Sequence, residues 1–192
     1  MNKVLVAYFS CSGITEKLAQ TLASVVNGDL YKIEPAMPYT DTDLHWQDIT
    51  FRPAIMGRVA NMKQYGTVFV GFPIWWYMAP TIINTFLESY DFSGKTVIPF
   101  ATSGTSGVGE TDNRLHASCS KKTNWHPAKR FPSNTKADNL KEWVGELSIY
   151  KEDFFTYSVL SYSQNPQDKG SPGAFKMPWY ARIDEPVRHF KG

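Results

Sequence analysis

The chain has few of the residues that build metal centres or disulfide frameworks. Its 192 residues include only two cysteines, Cys11 and Cys119, too few for a framework and at no zinc-binding spacing. Four histidines (His45, His116, His126, His189) are scattered without ligand spacing, so no metal site is expected. A strong charge of either sign is also lacking. A formal net charge of +2 and a pI near 8.4 give no nucleic-acid signature. The pairs Lys121-Lys122 and Lys129-Arg130 are too short for a polyanion patch and read as solvated surface. No apolar run is long enough to span a bilayer, so membrane insertion is not expected. The N-terminal run VLVAYF is shorter than a signal-peptide core and no cleavage pattern follows it. The cytoplasm is therefore the expected compartment.

What is present suits one domain of ordinary size with a real core. Hydrophobic residues make up 42% and charged residues 20%, the balance of a globular protein rather than a disordered one. Lys3 to Phe9 is a continuous β-branched and aromatic run, the pattern of a strand covered on both faces. From Thr15 to Val26 the positions Leu18, Leu22, Val25 and Val26 recur at helical spacing, and Gly28 is expected to stop that helix. Asp29–Glu34, Thr67–Phe72 and Lys95–Ala101 predict three further strands, the last holding Pro99, whose missing N–H the sheet must tolerate. Pro80–Tyr90, Glu110–Ser120 and Thr135–Leu147 predict helices. The stretch from Pro35 to Lys63 lacks periodicity, and the aromatic, proline-broken segment after Leu147 reads as a C-terminal extension. The division is thus 1–147 for the domain and 148–192 for the extension.

Strands alternating with helices argue for a parallel sheet wound on both sides. Ligands of such sheets sit beyond the carboxyl ends of the strands, where the strand order reverses. Three unusual segments fall at that edge. Ser10-Cys11-Ser12-Gly13-Ile14-Thr15 follows the first strand and opens a helix, where free N–H groups and the helix dipole favour an anion. It holds no Lys or Arg, so neutral donors must carry such an anion; the plainer reading is that Ser12 or Thr15 is a helix cap. Pro73-Ile74-Trp75-Trp76 offers flat surfaces for a planar ring, or two indoles buried in the core. Thr102-Ser103-Gly104-Thr105-Ser106-Gly107 is a polar clamp for a heterocycle or an ordinary glycine loop. Together they describe a site for a mononucleotide with a flat ring.

The stretches VLVAYFSCSGIT, VFVGFPIWWYMAP, IINTFLESYDFSGKTVIPFATSGTSGVG and KRFPSNTKADNLKEWV resemble, in order, those of the flavodoxin family. The likeness is to its short-chain bacterial branch with a double-tryptophan flavin loop, over residues 2 to about 147. The resemblance implies an α/β three-layer sandwich whose five-stranded parallel sheet runs 2-1-3-4-5, with FMN as the non-covalent cofactor. Carried over by position, Ser10, Ser12, Gly13, Ile14 and Thr15 would hold the phosphate. Pro73, Ile74, Trp75 and Trp76 would flank the isoalloxazine, and Thr102, Ser103, Gly104 and Gly107 would meet its other side. Cys11 is either a small loop residue or a thiol beside the phosphate, its pKa open to lowering by the helix N-terminus.

Two departures stand out. The family places Asn where this chain has Ile14, which removes a side-chain donor. Electron-carrying flavodoxins are acidic, whereas this chain is slightly basic, so its net charge does not support steering by a negative surface. The expected function is an electron carrier whose chemistry belongs to FMN, with no side chain required as acid or base. The competing expectation is an FMN-dependent oxidoreductase passing electrons from NAD(P)H to quinones or to nitro- or azo-aromatics. Its second planar molecule would need the Pro35–Lys63 loop, the extension or the second subunit of a homodimer. Partners are accordingly a redox protein or NAD(P)H, with no nucleic acid. Low-molecular-weight tyrosine phosphatases also carry a phosphate loop after the first strand, with an Arg five intervening residues beyond the Cys. That position here is Lys17, which lacks the guanidinium fork.

Overall fold

The computed structural model of the chain describes residues 3–39, 48–147 and 149. The assigned extension lies, apart from Ile149, outside the described residues, as does the middle of the Pro35–Lys63 loop.

The sheet is built on runs that can be buried on both sides. β1 (Lys3–Tyr8) is buried from Val4 onward, and β3 (Tyr65–Pro73) and β4 (Thr96–Thr102) are equally apolar. β2 (Asp29–Lys32) pairs with one edge of β1 and β3 with the other, all parallel, with Val6 opposite Leu30 on one side and Phe69 on the other. β4 continues the sheet beyond β3. Gly71, toward the carboxyl end of β3, has a steric reason: a Cβ there would drive into the ring of Phe100 on β4.

The expected fifth strand is two strands. β5 (Asn124–Trp125) pairs with the start of β4, and β6 (Lys129–Phe131) with its end, giving the order β2-β1-β3-β4 and then β5 and β6 one after the other along the outer edge of β4. Pro99 explains how the split is tolerated. His126 N–H donates to Val97 O at 3.0 Å, so odd-numbered residues of β4 direct their backbone groups to this outer edge. Pro99 therefore turns its missing donor toward the outer edge, where the partner strand is interrupted at residues 126–128, themselves containing Pro127. No ladder bond is lost in a place where one was needed.

Among the described residues, four α-helices cover the sheet. α1 (Ile14–Val26) buries Leu18, Ala19, Leu22, Ala23 and Val26 along one stripe and packs with α4 (Ala137–Glu146), whose Trp143 meets Phe69 edge-on at 5.7 Å. α2 (Thr81–Glu88) and α3 (Thr111–His116) pack together on the opposite face over Leu5, Ala7, Val68, Val70 and Phe72. The result is a helix–sheet–helix sandwich. Element ends depart from expectation by a few residues. Asn27, with φ 48°, is the left-handed C-cap of α1, while Gly28 packs tightly against Val4 and Val26. Pro80 precedes α2 rather than entering its first turn. A short antiparallel pair, Glu34–Pro35 with Ile55–Met56, adds structure to the region expected to be loop.

Candidate functional site

The three segments marked in the sequence converge, and Thr102 at the end of β4 is their meeting point. Its hydroxyl shares a buried hydrogen bond of 2.8 Å with Thr15 Oγ1, tying the first loop to the third. Its carbonyl accepts the Ile74 N–H at 2.9 Å, tying the second loop to the third. Trp75 meets Phe9 edge-on at 5.8 Å, closing the triangle between the first and second loops.

The first loop is a ring of donors. Gly13 takes φ 79°, a left-handed conformation that side chains resist, and donates its N–H to Ser10 Oγ at 3.1 Å. Its carbonyl accepts the first helical bond, from Lys17 N–H at 3.1 Å. Gly13, rather than Ser12 or Thr15, is the cap residue of α1, and no side chain caps this helix. Among the described residues, the N–H groups of Cys11, Ser12, Ile14, Thr15 and Glu16 have no acceptor. These, with the hydroxyls of Ser10 and Ser12, form the neutral cradle an anion requires at a helix start. Cys11 and Ser12 are exposed, and Ile14 is 41% exposed. Although Cys11 is exposed at the surface, the atoms packed around its sulfur desolvate it in part and push the thiol up rather than down, opposite to the lowering expected from the helix N-terminus.

The second loop separates the two indoles. After Pro73, residues Trp75 to Met78 form a two-residue hairpin turn closed by reciprocal bonds of 2.9 and 3.0 Å. Its central residues, Trp76 (φ 49°) and Tyr77 (φ 65°), are both left-handed, the geometry of a type I′ turn that normally selects Asn-Gly. Placing two bulky aromatics there costs about 1–3 kcal/mol each, and such outliers cluster at functional sites. Trp75 is half-buried, edge-on to Tyr39 at 5.6 Å as well as to Phe9. Trp76 and Tyr77 are 64% and 59% exposed. The turn rests on Gly109, whose φ of 50° and missing Cβ let its backbone lie against the Tyr77 carbonyl and Cβ.

The third loop, Ser103 to Gly107, shapes itself partly by a bond from Ser103 Oγ to the Ser106 carbonyl. Arg130 on β6 donates through Nη1 to the carbonyls of Ser103 and Gly104, both at 3.3 Å. The N–H groups of Gly104, Thr105, Ser106 and Gly107 find no acceptor among the described residues. Space is open around them, since a Cβ on Gly104 or Gly107 would meet nothing within 4 Å.

Four residues of this site are not among the expected site residues. Tyr77, one position beyond the tryptophans, carries a reversed turn signal: aromatics where Asn-Gly belongs. Gly109 lies just past the marked glycine loop. Arg130 belongs to a pair read as solvated surface, and it is exposed, yet it holds the third loop. Tyr39 comes from the aperiodic region, with no periodicity to mark it. Burial, and secondarily the charge that Cys11 carries once ionised at alkaline pH, pushes its phenol up to about 12, so it stays protonated at neutral pH. Among the described residues no three His, Cys, Asp or Glu side chains gather as a metal site would require. No described helix is long and apolar enough to cross a membrane.

The sequence profile of the family described as Flavodoxin matches residues 3–147. A crystal structure of a flavoprotein candidate from Bacteroides eggerthii is 40% identical, with TM-score 0.70, over 77% of this chain and 98% of that one. A second, from Bacteroides uniformis, is also 40% identical, with TM-score 0.69, over 75% and 98%. A flavoprotein from Lactobacillus acidophilus, crystallised in complex with FMN, shares the fold at 20% identity and TM-score 0.59, over 75% and 99%. No match emerges among functionally curated proteins.

Proposed function

The chain belongs to the flavodoxin family, and from that premise we propose that it binds FMN at the converged loops and serves as an electron carrier. The observation that carries this reading is the convergence on Thr102 of a neutral anion cradle, an aromatic turn and a donor-rich loop. The residues fit the cofactor. Five unpaired N–H groups and the Ser10 and Ser12 hydroxyls suit a phosphate, and four more N–H groups around Gly104–Gly107 suit the polar edge of a heterocycle. Trp76 and Tyr77 supply exposed π-faces between them.

When bound, FMN supplies the electron-transfer chemistry itself. This chain's residues bind, orient and tune. Ser10 to Thr15 would fix the phosphate. The strained Trp76-Tyr77 turn would hold its rings where a planar group can stack, and Ser103–Gly107 would turn its donors toward the polar edge of that group. Ile14 adds only its backbone N–H to the cradle. A cytoplasmic setting and a protein redox partner belong to the same reading.

The oxidoreductase reading draws support from the exposure of Trp76 and Tyr77, which leaves aromatic surface at the rim for a second planar molecule. One experiment separates the two. The FMN-loaded protein is mixed anaerobically with NADPH or NADH and its visible absorption followed. The carrier reading predicts a spectrum unchanged by either nucleotide but bleached by dithionite; rapid bleaching by NADPH would establish the oxidoreductase.

A further inference from the structure

We propose that Arg130 is a positioning residue that sets the redox preference of this site, clamping the third loop while adding an uncompensated positive charge beside it. The inference rests on the FMN reading above.

The clamp follows from peptide geometry. A trans peptide is planar, with its N–H directed opposite to its C=O. By taking the carbonyls of Ser103 and Gly104, Arg130 fixes the planes of two successive peptides. The N–H groups of Gly104 and Thr105 then point away from the guanidinium. Ser103 Oγ fixes the Ser106 carbonyl in the same way and so orients the Gly107 N–H. Three of the four acceptor-free donors of the loop are thus aimed by bonds made behind them. Gly104 has no Cβ and nothing near it, so without the clamp these planes could turn at little cost.

The charge follows from what Arg130 lacks. A guanidinium is always protonated in proteins. None of the ion pairs among the described residues includes Arg130. The Asp112 carboxylate, which reaches the adjoining segment, accepts the Ala128 N–H instead. A fixed cation at the loop that would meet the flavin ring favours whichever state is more negative, and reduced flavin carries more negative charge than oxidised flavin. The side chain is exposed, which limits the effect by solvent screening.

The test is a pair of FMN titrations, one aerobic and one with dithionite-reduced FMN, on the full chain and on R130Q, R130K and K129Q. The ratio of the two dissociation constants is the readout, because loosened packing alone would weaken both forms equally. R130Q should shift the ratio of the two constants against reduced FMN by about threefold to tenfold, the scale of one partly screened charge. R130K should restore that ratio to within about twofold while leaving oxidised FMN more weakly bound, because the lysine stem is one bond shorter than the reach of Arg130 Nη1 to the two carbonyls. K129Q removes the same charge without touching the loop and should shift the ratio less than R130Q does. An R130Q ratio equal to that of the unaltered protein, or to that of K129Q, would overturn the proposal. Failure of the unaltered protein to bind FMN would instead overturn the reading beneath it, and the proposal with it.

Discussion

Replacing Gly109 with alanine should disturb the aromatic turn without touching it in sequence. Gly109 sits at φ 50°, where an L-residue costs about 1–2 kcal/mol. The added Cβ would lie 2.8 Å from the Tyr77 Cβ and closer still to its carbonyl oxygen. These are backbone-level contacts with no flexible side-chain end to yield, so the clash adds about 1–3 kcal/mol of overpacking if the turn stays in place. The turn is already strained at Trp76 and Tyr77, so part of this energy should be released by moving it. Unfolding of the FMN-free protein by urea should then show a loss of about 1–3 kcal/mol. FMN affinity should fall by about fivefold to thirtyfold, equivalent to 1–2 kcal/mol of lost stacking and order. Gly107→Ala is the internal control. Nothing lies within 4 Å of its Cβ position, so its urea midpoint should be unchanged while FMN, if it occupies that space, binds less tightly. A Gly109→Ala protein matching the unaltered one in both midpoint and affinity would refute the buttress.

Further outcomes follow from the same geometry. Tyr77→Gly should stabilise the FMN-free protein by about 1 kcal/mol in thermal melts, since glycine accepts φ 65° freely, while weakening FMN. Thr102→Val should cost about 1–3 kcal/mol by orphaning the buried Thr15 hydroxyl, with Thr15→Val/Thr102→Val losing less than the sum of the single changes in urea titrations. Ile14→Asn should tighten FMN about threefold to tenfold by adding a charge-assisted donor, measured by fluorescence quenching. Burial, with help from its bond to Glu16, pushes the Tyr8 phenol from 10.0 up to about 12. Its raised folded-state pKa means the stabilisation is complete below pH 10 and is lost as pH rises from 10 through 12. Tyr8→Phe should flatten that alkaline decline in urea midpoints.

The parts of this protein that were legible in its sequence are those governed by burial. β1, β3 and β4 announce themselves because both faces are covered and nearly every residue must be apolar. The three loops could be placed at one edge because parallel winding leaves the strand ends no other location, and Thr102 joins them in the structure. What was not legible depends on backbone conformation and on contacts distant in sequence. No local rule marks Trp76-Tyr77 as a type I′ turn, because both residues oppose that geometry and a glycine more than thirty positions later supports it. Arg130 looks like any surface cation until β6 pairs with β4 and brings it to Ser103 and Gly104. The division of the edge strand was hidden for a similar reason. Pro99 and Pro127 each signal a problem alone, and only the register shows that the missing N–H of one faces the gap containing the other.

The measurement that tests the central claim most directly is an equilibrium titration of the purified chain with FMN, followed by flavin fluorescence and visible absorption. The account predicts saturable one-to-one binding with quenched fluorescence, weakened when Gly13 is replaced by alanine at its left-handed position and when Trp76 is replaced by alanine. Absence of saturable binding, or binding indifferent to both substitutions, would contradict it.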